Sequence, residues 1–135
     1  MNLNVESNTK RQVLDITDEV QQHLAGPIPA KASGLVNIFV KHTTAAITTA
    51  DLDPGTDLDF LDFLKAITPD PPAGGWRHPH DSSHTPDHLL ASLIGPGVNV
   101  PFEKGKLQLG SWQRIILVEL DGPRDRQIEL TFVNT

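Results

Sequence analysis

The sequence predicts an α+β fold: one compact domain with a mostly antiparallel sheet and helices in the middle of the chain. Three observations carry this expectation. Short alternating or continuously apolar stretches recur along the chain and dominate its last third. Segments with helical spacing are confined to its interior. Proline–glycine punctuation at Asp53-Pro54-Gly55, Gly95-Pro96-Gly97 and Asp121-Gly122-Pro123 separates one element from the next. Strands and helices segregated in this way make α+β rather than α/β architecture.

Each element has a local reason. Residues 3–6 and 11–16 alternate weakly and read as strands. Thr17 is placed to N-cap a short helix, 18–25, that Gly26-Pro27 closes. Gly34–Lys41 is a half-buried strand rich in β-branched and apolar residues, and Ala45–Thr49 is another. From Thr56 a helix follows, with Leu58, Leu61, Phe63, Leu64 and Ile67 at helical spacing and Asp57 and Asp59 in its first turn. Residues 69–85 are rich in proline, glycine and histidine and form a long loop, a kind of segment that is usually functional or disordered. Thr85-Pro86-Asp87 starts a helix that runs to about Ile94: an N-cap, proline at the first position, an acid at the second. Val98–Phe102, Leu107–Leu109, Gln113–Leu120 and Gln127–Val133 complete the strands. Ile115-Ile116-Leu117-Val118 is apolar without a break, which marks a central strand.

Composition narrows the function. At 135 residues the chain can bury a core unaided. It has no cysteine, so it makes no disulfides and no thiolate chemistry, and any metal rests on nitrogen and oxygen ligands. A net charge of −6 argues against nucleic acid as a partner. No apolar run reaches membrane-spanning length, and Met1–Val5 lacks a signal-peptide pattern, so the expectation is a soluble cytoplasmic protein.

Histidine distribution points to a site. His78, His80, His84 and His88 fall within one short window between loop and helix, and imidazole serves as both metal ligand and general acid/base. Pro86 makes a continuous helix through His84 and His88 unfavourable, so His84 is expected outside the helix and His88 near its third position. His80 and His84 read as exposed loop histidines and His23 as a surface residue of the first helix. His42, at a strand end before Thr43 and Thr44, is either a core histidine held by backbone or a ligand or base beside hydroxyls facing an anion. Glu119, within an apolar strand, is either on an exposed face or paired. Trp112 and Gln113 offer a stacking surface beside an amide. Arg124 and Arg126 either hold phosphate or carboxylate or pair with surface acids.

In order along the chain stand His42-Thr43-Thr44-Ala45, Asp53-Pro54-Gly55 with Asp57 to Leu64, Trp76-Arg77-His78, His88–Gly95, Gly105–Gln113 and Glu119–Arg126. This ordered set, from about residue 34 onward, resembles the YjbQ-like proteins, described as secondary thiamine-phosphate synthase enzymes. The resemblance implies a trimeric α+β domain with a pocket gathering His42, His78, His88 and Glu119 around a divalent metal or a phosphate-like anion. Zinc suits such ligands best, with magnesium as the alternative. The chain departs from the family at Asp51, which stands where a glutamate is usual, and at Ser82–Asp87 before His88.

The resemblance also implies an activity that joins a pyrimidine diphosphate to a thiazole phosphate, with His42, His78, His88, Arg124 and Trp112 as the working groups. The chain has no phosphate-binding glycine loop and no aspartate pair for magnesium. Two other classes therefore stand beside it. One is a metal-dependent hydrolase, with three histidines holding zinc and activating water. The other is a non-catalytic binder of a phosphorylated small molecule. Several short strands leave edges to cover, which fits association into the homotrimer.

Overall fold

The chain threads back and forth between two antiparallel sheets, and the places where it crosses from one to the other build the site. The computed structural model describes residues 1–135. In order the strands and helices are β1 (Asn2–Glu6), β2 (Gln12–Asp15), α1 (Thr17–Ala25), β3 (Gly34–Val40), β4 (Ala45–Ala50), α2 (Thr56–Ile67), α3 (Thr85–Ile94), β5 (Gly97–Glu103), β6 (Lys106–Leu107), β7 (Arg114–Glu119) and β8 (Asp125–Asn134). A 3₁₀ turn, Ser82–His84, leads directly into α3. One sheet has the order β1-β8-β3-β5-β6, and the other β2-β7-β4. Every pairing is antiparallel. The α+β class stands. The antiparallel strands divide into two sheets, because β7 pairs only with β2 and β4.

Strand β7 explains the continuous apolar run. Ile115 and Leu117 point into the core shared with the larger sheet and α1. Ile116 and Val118 point the other way, into a second core with Ala46, Leu64 of α2, and Leu90 and Ala91 of α3. A strand covered on both faces has no place for polar alternation. Helix α1 closes the first core with Val20 and Leu24, which are fully buried.

Three sequence expectations need correction. Thr17 does not cap α1: its hydroxyl accepts from the Ile115 N–H at 2.8 Å and donates to Asp15 at 2.7 Å. The N-cap is Ile16, and the Thr17 N–H is taken up by the Asp15 carboxylate before it, at 3.0 Å. Thr85 lies inside α3 rather than at its cap, because the 3₁₀ turn supplies the preceding residues. That turn is capped by Asp81, whose carboxylate accepts the Ser83 N–H at 3.0 Å. In α2, Leu64 is buried, but Leu58 and Phe63 are more than half exposed; the apolar residues from Leu58 to Ile67 spread over two faces, and only one meets the second core. No helix is long and apolar enough to cross a membrane.

Candidate functional site

Residues 41–44 carry the chain from β3 in the larger sheet to β4 in the smaller, and residues 120–124 carry it back from β7 to β8. The two crossovers lie side by side, with Thr44 O accepting the Leu120 N–H at 3.1 Å. The start of α3 closes over them. Between these segments opens a cleft of about 330 Å³ lined by Lys41, His42, Thr43, Thr44, His84, His88, Asp121, Arg124 and Arg126. No apolar side chain lines it.

Its floor is a buried ion pair. Arg126 donates from Nε to Glu119 Oε1 at 2.9 Å and from Nη2 to Oε2 at 2.5 Å. Nη2 also donates to the Thr44 hydroxyl at 2.8 Å and to its carbonyl at 3.1 Å. Ser7 donates its hydroxyl proton to Glu119 Oε1 at 2.6 Å, and the Asp121 N–H reaches Oε2 at 3.1 Å. Burial alone pushes the Glu119 carboxyl up; the hydrogen bonds from Arg126, Ser7 and Asp121, with the Arg126 charge, outweigh it and hold the group below the usual range. Glu119 is completely buried with both oxygens engaged, so it is a structural partner of Arg126 rather than a group open to substrate. This corrects its expected catalytic role. Gly122 completes the floor: a Cβ there would come within 2.6 Å of the Ser7 hydroxyl oxygen.

The rim is cationic. Lys41 and Arg124 are largely exposed. Arg124 is steadied by Asp121, whose backbone carbonyl accepts from Nε at 2.8 Å and whose carboxylate lies 3.2 Å from Nη2. Asp121 also pairs with Lys10 at 2.6 Å, and Lys10 reaches on to Asp87 at the same distance. Arg11 holds the other Asp87 oxygen at 2.8 Å, which anchors the first turn of α3. His42 Nε2 accepts the Gln127 N–H at 3.1 Å, so the ring is neutral with its proton on Nδ1. Burial, then the positive charges of Arg126 and Arg124, hold its pKa below the usual value against the opposing pull of Glu119.

The histidines sort differently from expectation. His78, His84 and His88 each bring a ring nitrogen within 4.8 Å of the others. His42 lines the same cleft as His84 and His88 but lies outside that triad, where His84 takes the third place. The sequence signal for His84 was its spacing of four from His88. Pro86 appeared to break it, but proline in the first helical turn loses no hydrogen bond, and the 3₁₀ turn brings His84 onto the same side. His80 stays outside, exposed, with φ of 64°, and His23 is half-buried on α1, its Nδ1 2.8 Å from the Glu19 carbonyl oxygen. Lys41 and Asp121, not singled out from sequence, also line the cleft.

Trp112 and Gln113 stand elsewhere. Gln113 accepts the Gly110 N–H at 3.1 Å and donates to Thr49 at 3.0 Å. With Asp51 and an exposed Trp112 it lines a separate shallow depression. The register Ala45↔Glu119 to Ala50↔Arg114 puts this depression at the far end of β4 from Thr44, about 17 Å away along the strand.

Fold and cleft together define a small α+β protein with two antiparallel sheets and a polar, histidine-walled crossover site. The chain belongs to the UPF0047 protein YjbQ-like family, whose model matches residues 1–135. A UPF0047 protein of Archaeoglobus fulgidus is 36% identical over 128 residues, covering 95% of this chain and 96% of that one. One from Mycobacterium bovis is 39% identical over 127 residues, covering 92% and 93%. Among solved structures, a hypothetical protein from Aeropyrum pernix K1 matches with a TM-score of 0.88 at 33% identity, over 100% of this chain and 98% of that one. A YjbQ-like protein of unknown function from Sulfolobus solfataricus P2 gives 0.86 at 34% identity, over 98% and 94%.

Proposed function

We propose that this protein hydrolyses a phosphorylated small molecule whose phosphoryl group sits in the crossover cleft. The observation that carries the reading is the lining: the exposed Lys41 and Arg124, with Thr43 and the buried, Glu119-paired Arg126 beneath them, bound a space that no apolar side chain enters. Planar guanidinium forks suit phosphoryl oxygens. The neutral His42 presents a donor at Nδ1, and His84 and His88 form the wall from which water would be activated. In the reaction water adds to phosphorus, the ester P–O bond breaks, and the alcohol leaves carrying the proton that the attacking water gives up.

The thiamine-phosphate synthase reading shares the cationic cleft, which would equally seat a diphosphate. It also needs a platform for a ring, and Trp112 lies at the far end of β4. That platform would serve only if supplied by another copy in a homotrimer, which we retain, with a cytoplasmic location, as part of the proposal. The test is calorimetric binding of inorganic phosphate and pyrophosphate, together with phosphate release from a panel of phosphomonoesters. Arg124→Ala should weaken anion binding by roughly 10–100-fold, the worth of one charge-assisted hydrogen bond. Binding without turnover would favour the non-catalytic binder. Absence of both binding and turnover at millimolar ligand would sink the phosphoryl reading.

A further inference from the structure

We propose that His78, His84 and His88 form a binding site for one divalent transition-metal ion of the zinc class, beside the anion cleft. Three imidazoles from three local settings meet here: the long loop, the end of the 3₁₀ turn, and the first turn of α3. Their ring centroids lie 4.9–5.0 Å apart. Their ligand nitrogens lie within 4.8 Å of one another, against roughly 3.3 Å between nitrogens on a tetrahedral zinc. Small side-chain rotations close that difference.

A second, independent observation points to a ligand. His78 Nδ1 is buried and has no hydrogen-bond partner, and it is the one buried side-chain polar atom in the chain so placed. Buried polar atoms are paired almost without exception. A metal ion satisfies a ring nitrogen that nothing else in the chain reaches. Packing alone explains the triad less well, since three polar rings gathered at a half-buried surface leave this nitrogen bare.

The donor set selects the ion. Three imidazoles without a carboxylate suit zinc, cobalt, nickel or copper, whereas magnesium and calcium require oxygen ligands. Three protein ligands leave a fourth position open, as in catalytic rather than structural zinc sites. His84 and His88 also line the cleft, which puts the ion at its edge. The positive end of α3 opposes a cation here, and an anion in the cleft would offset it. This link to the cleft rests on the phosphoryl reading, but the metal site itself does not.

The test uses full-length, tag-free protein stripped with chelator and titrated with Zn²⁺, Co²⁺ and Mg²⁺ by calorimetry and by metal content after dialysis. One Zn²⁺ per chain is expected, with four-coordinate Co²⁺ absorption and no Mg²⁺ binding. His84→Asn should raise the zinc dissociation constant by more than about 100-fold, beyond what loss of an outer hydrogen-bond partner costs. His42→Asn should leave it within a few-fold. Thermal melts of each metal-free variant confirm that the fold is intact, and a His78→Asn variant repeats the test if His84→Asn does not fold. The proposal is overturned if folded wild type takes up no stoichiometric zinc, if His84→Asn and His78→Asn bind as wild type, or if His42→Asn loses zinc as fully as they do. Phosphate titration of the metal-free protein separately tests the cleft; zinc binding retained when phosphate fails supports the metal site and rejects only the phosphoryl reading.

Discussion

At the scale of single residues, Glu119 and Arg126 show how charge is tolerated in this interior. Every Glu119 oxygen and two of the Arg126 nitrogens are engaged within the floor of the cleft. Glu119→Ala leaves a buried guanidinium uncompensated and should cost about 3–5 kcal/mol in urea unfolding. The sign of its pH dependence follows from the direction of the shift. The folded carboxyl titrates below its unfolded value of about 4.3, so its contribution is complete above that pH. It fades as pH falls through the lower folded value. Wild type should therefore lose stability in this acid range more steeply than Glu119→Gln; parallel curves for the two would contradict the ion-pair account.

At the scale of elements, α3 and β7 divide recognition from stability. His88 is half-buried in the first turn of a helix whose Asp87 is already clamped by Lys10 and Arg11. His88→Ala leaves little cavity and should cost no more than about 1 kcal/mol. Leu117 is completely buried between the sheets, and Leu117→Ala should cost about 2–5 kcal/mol. Thermal melts of the two variants, run side by side, make the comparison; equal losses would make His88 a packing residue. The same elements show what sequence can convey. The unbroken apolar run of β7 was legible because burial on both faces removes alternation. The strands around it were placed to within a residue or two. The helix caps were misread because Thr17 answers to Ile115 across the core, and sequence neighbours cannot reveal such a partner. His84 falls outside α3 as expected, but its place beside His78 and His88 depends on a 3₁₀ turn, and short 3₁₀ turns leave no periodic trace. Glu119 was left between exposed and paired; its partner Arg126 was already in view, but only the β7–β8 crossover brings them together.

At the scale of the whole molecule, the polar cleft sits at one end of β4 and the exposed Trp112 at the other. A homotrimer would let one copy supply to another what a lone chain keeps apart. Sedimentation equilibrium at micromolar concentration should report about three times the 14.7 kDa chain mass; a monomer would contradict the assembly. The division into two sheets was not legible from the chain, since strand patterns announce burial but not which strand pairs with which.

Strand β1 has a single ladder partner, β8, with Asn2 opposite Glu129 and Glu6 opposite Asp125. During synthesis, at about 5–20 residues per second, the first strand therefore waits several seconds for the last to be made. Until then β3 also lacks its β8 neighbour, and the larger sheet exists only as β3, β5 and β6. A chain stalled before β8 would display two unpaired edges to whatever holds nascent proteins apart.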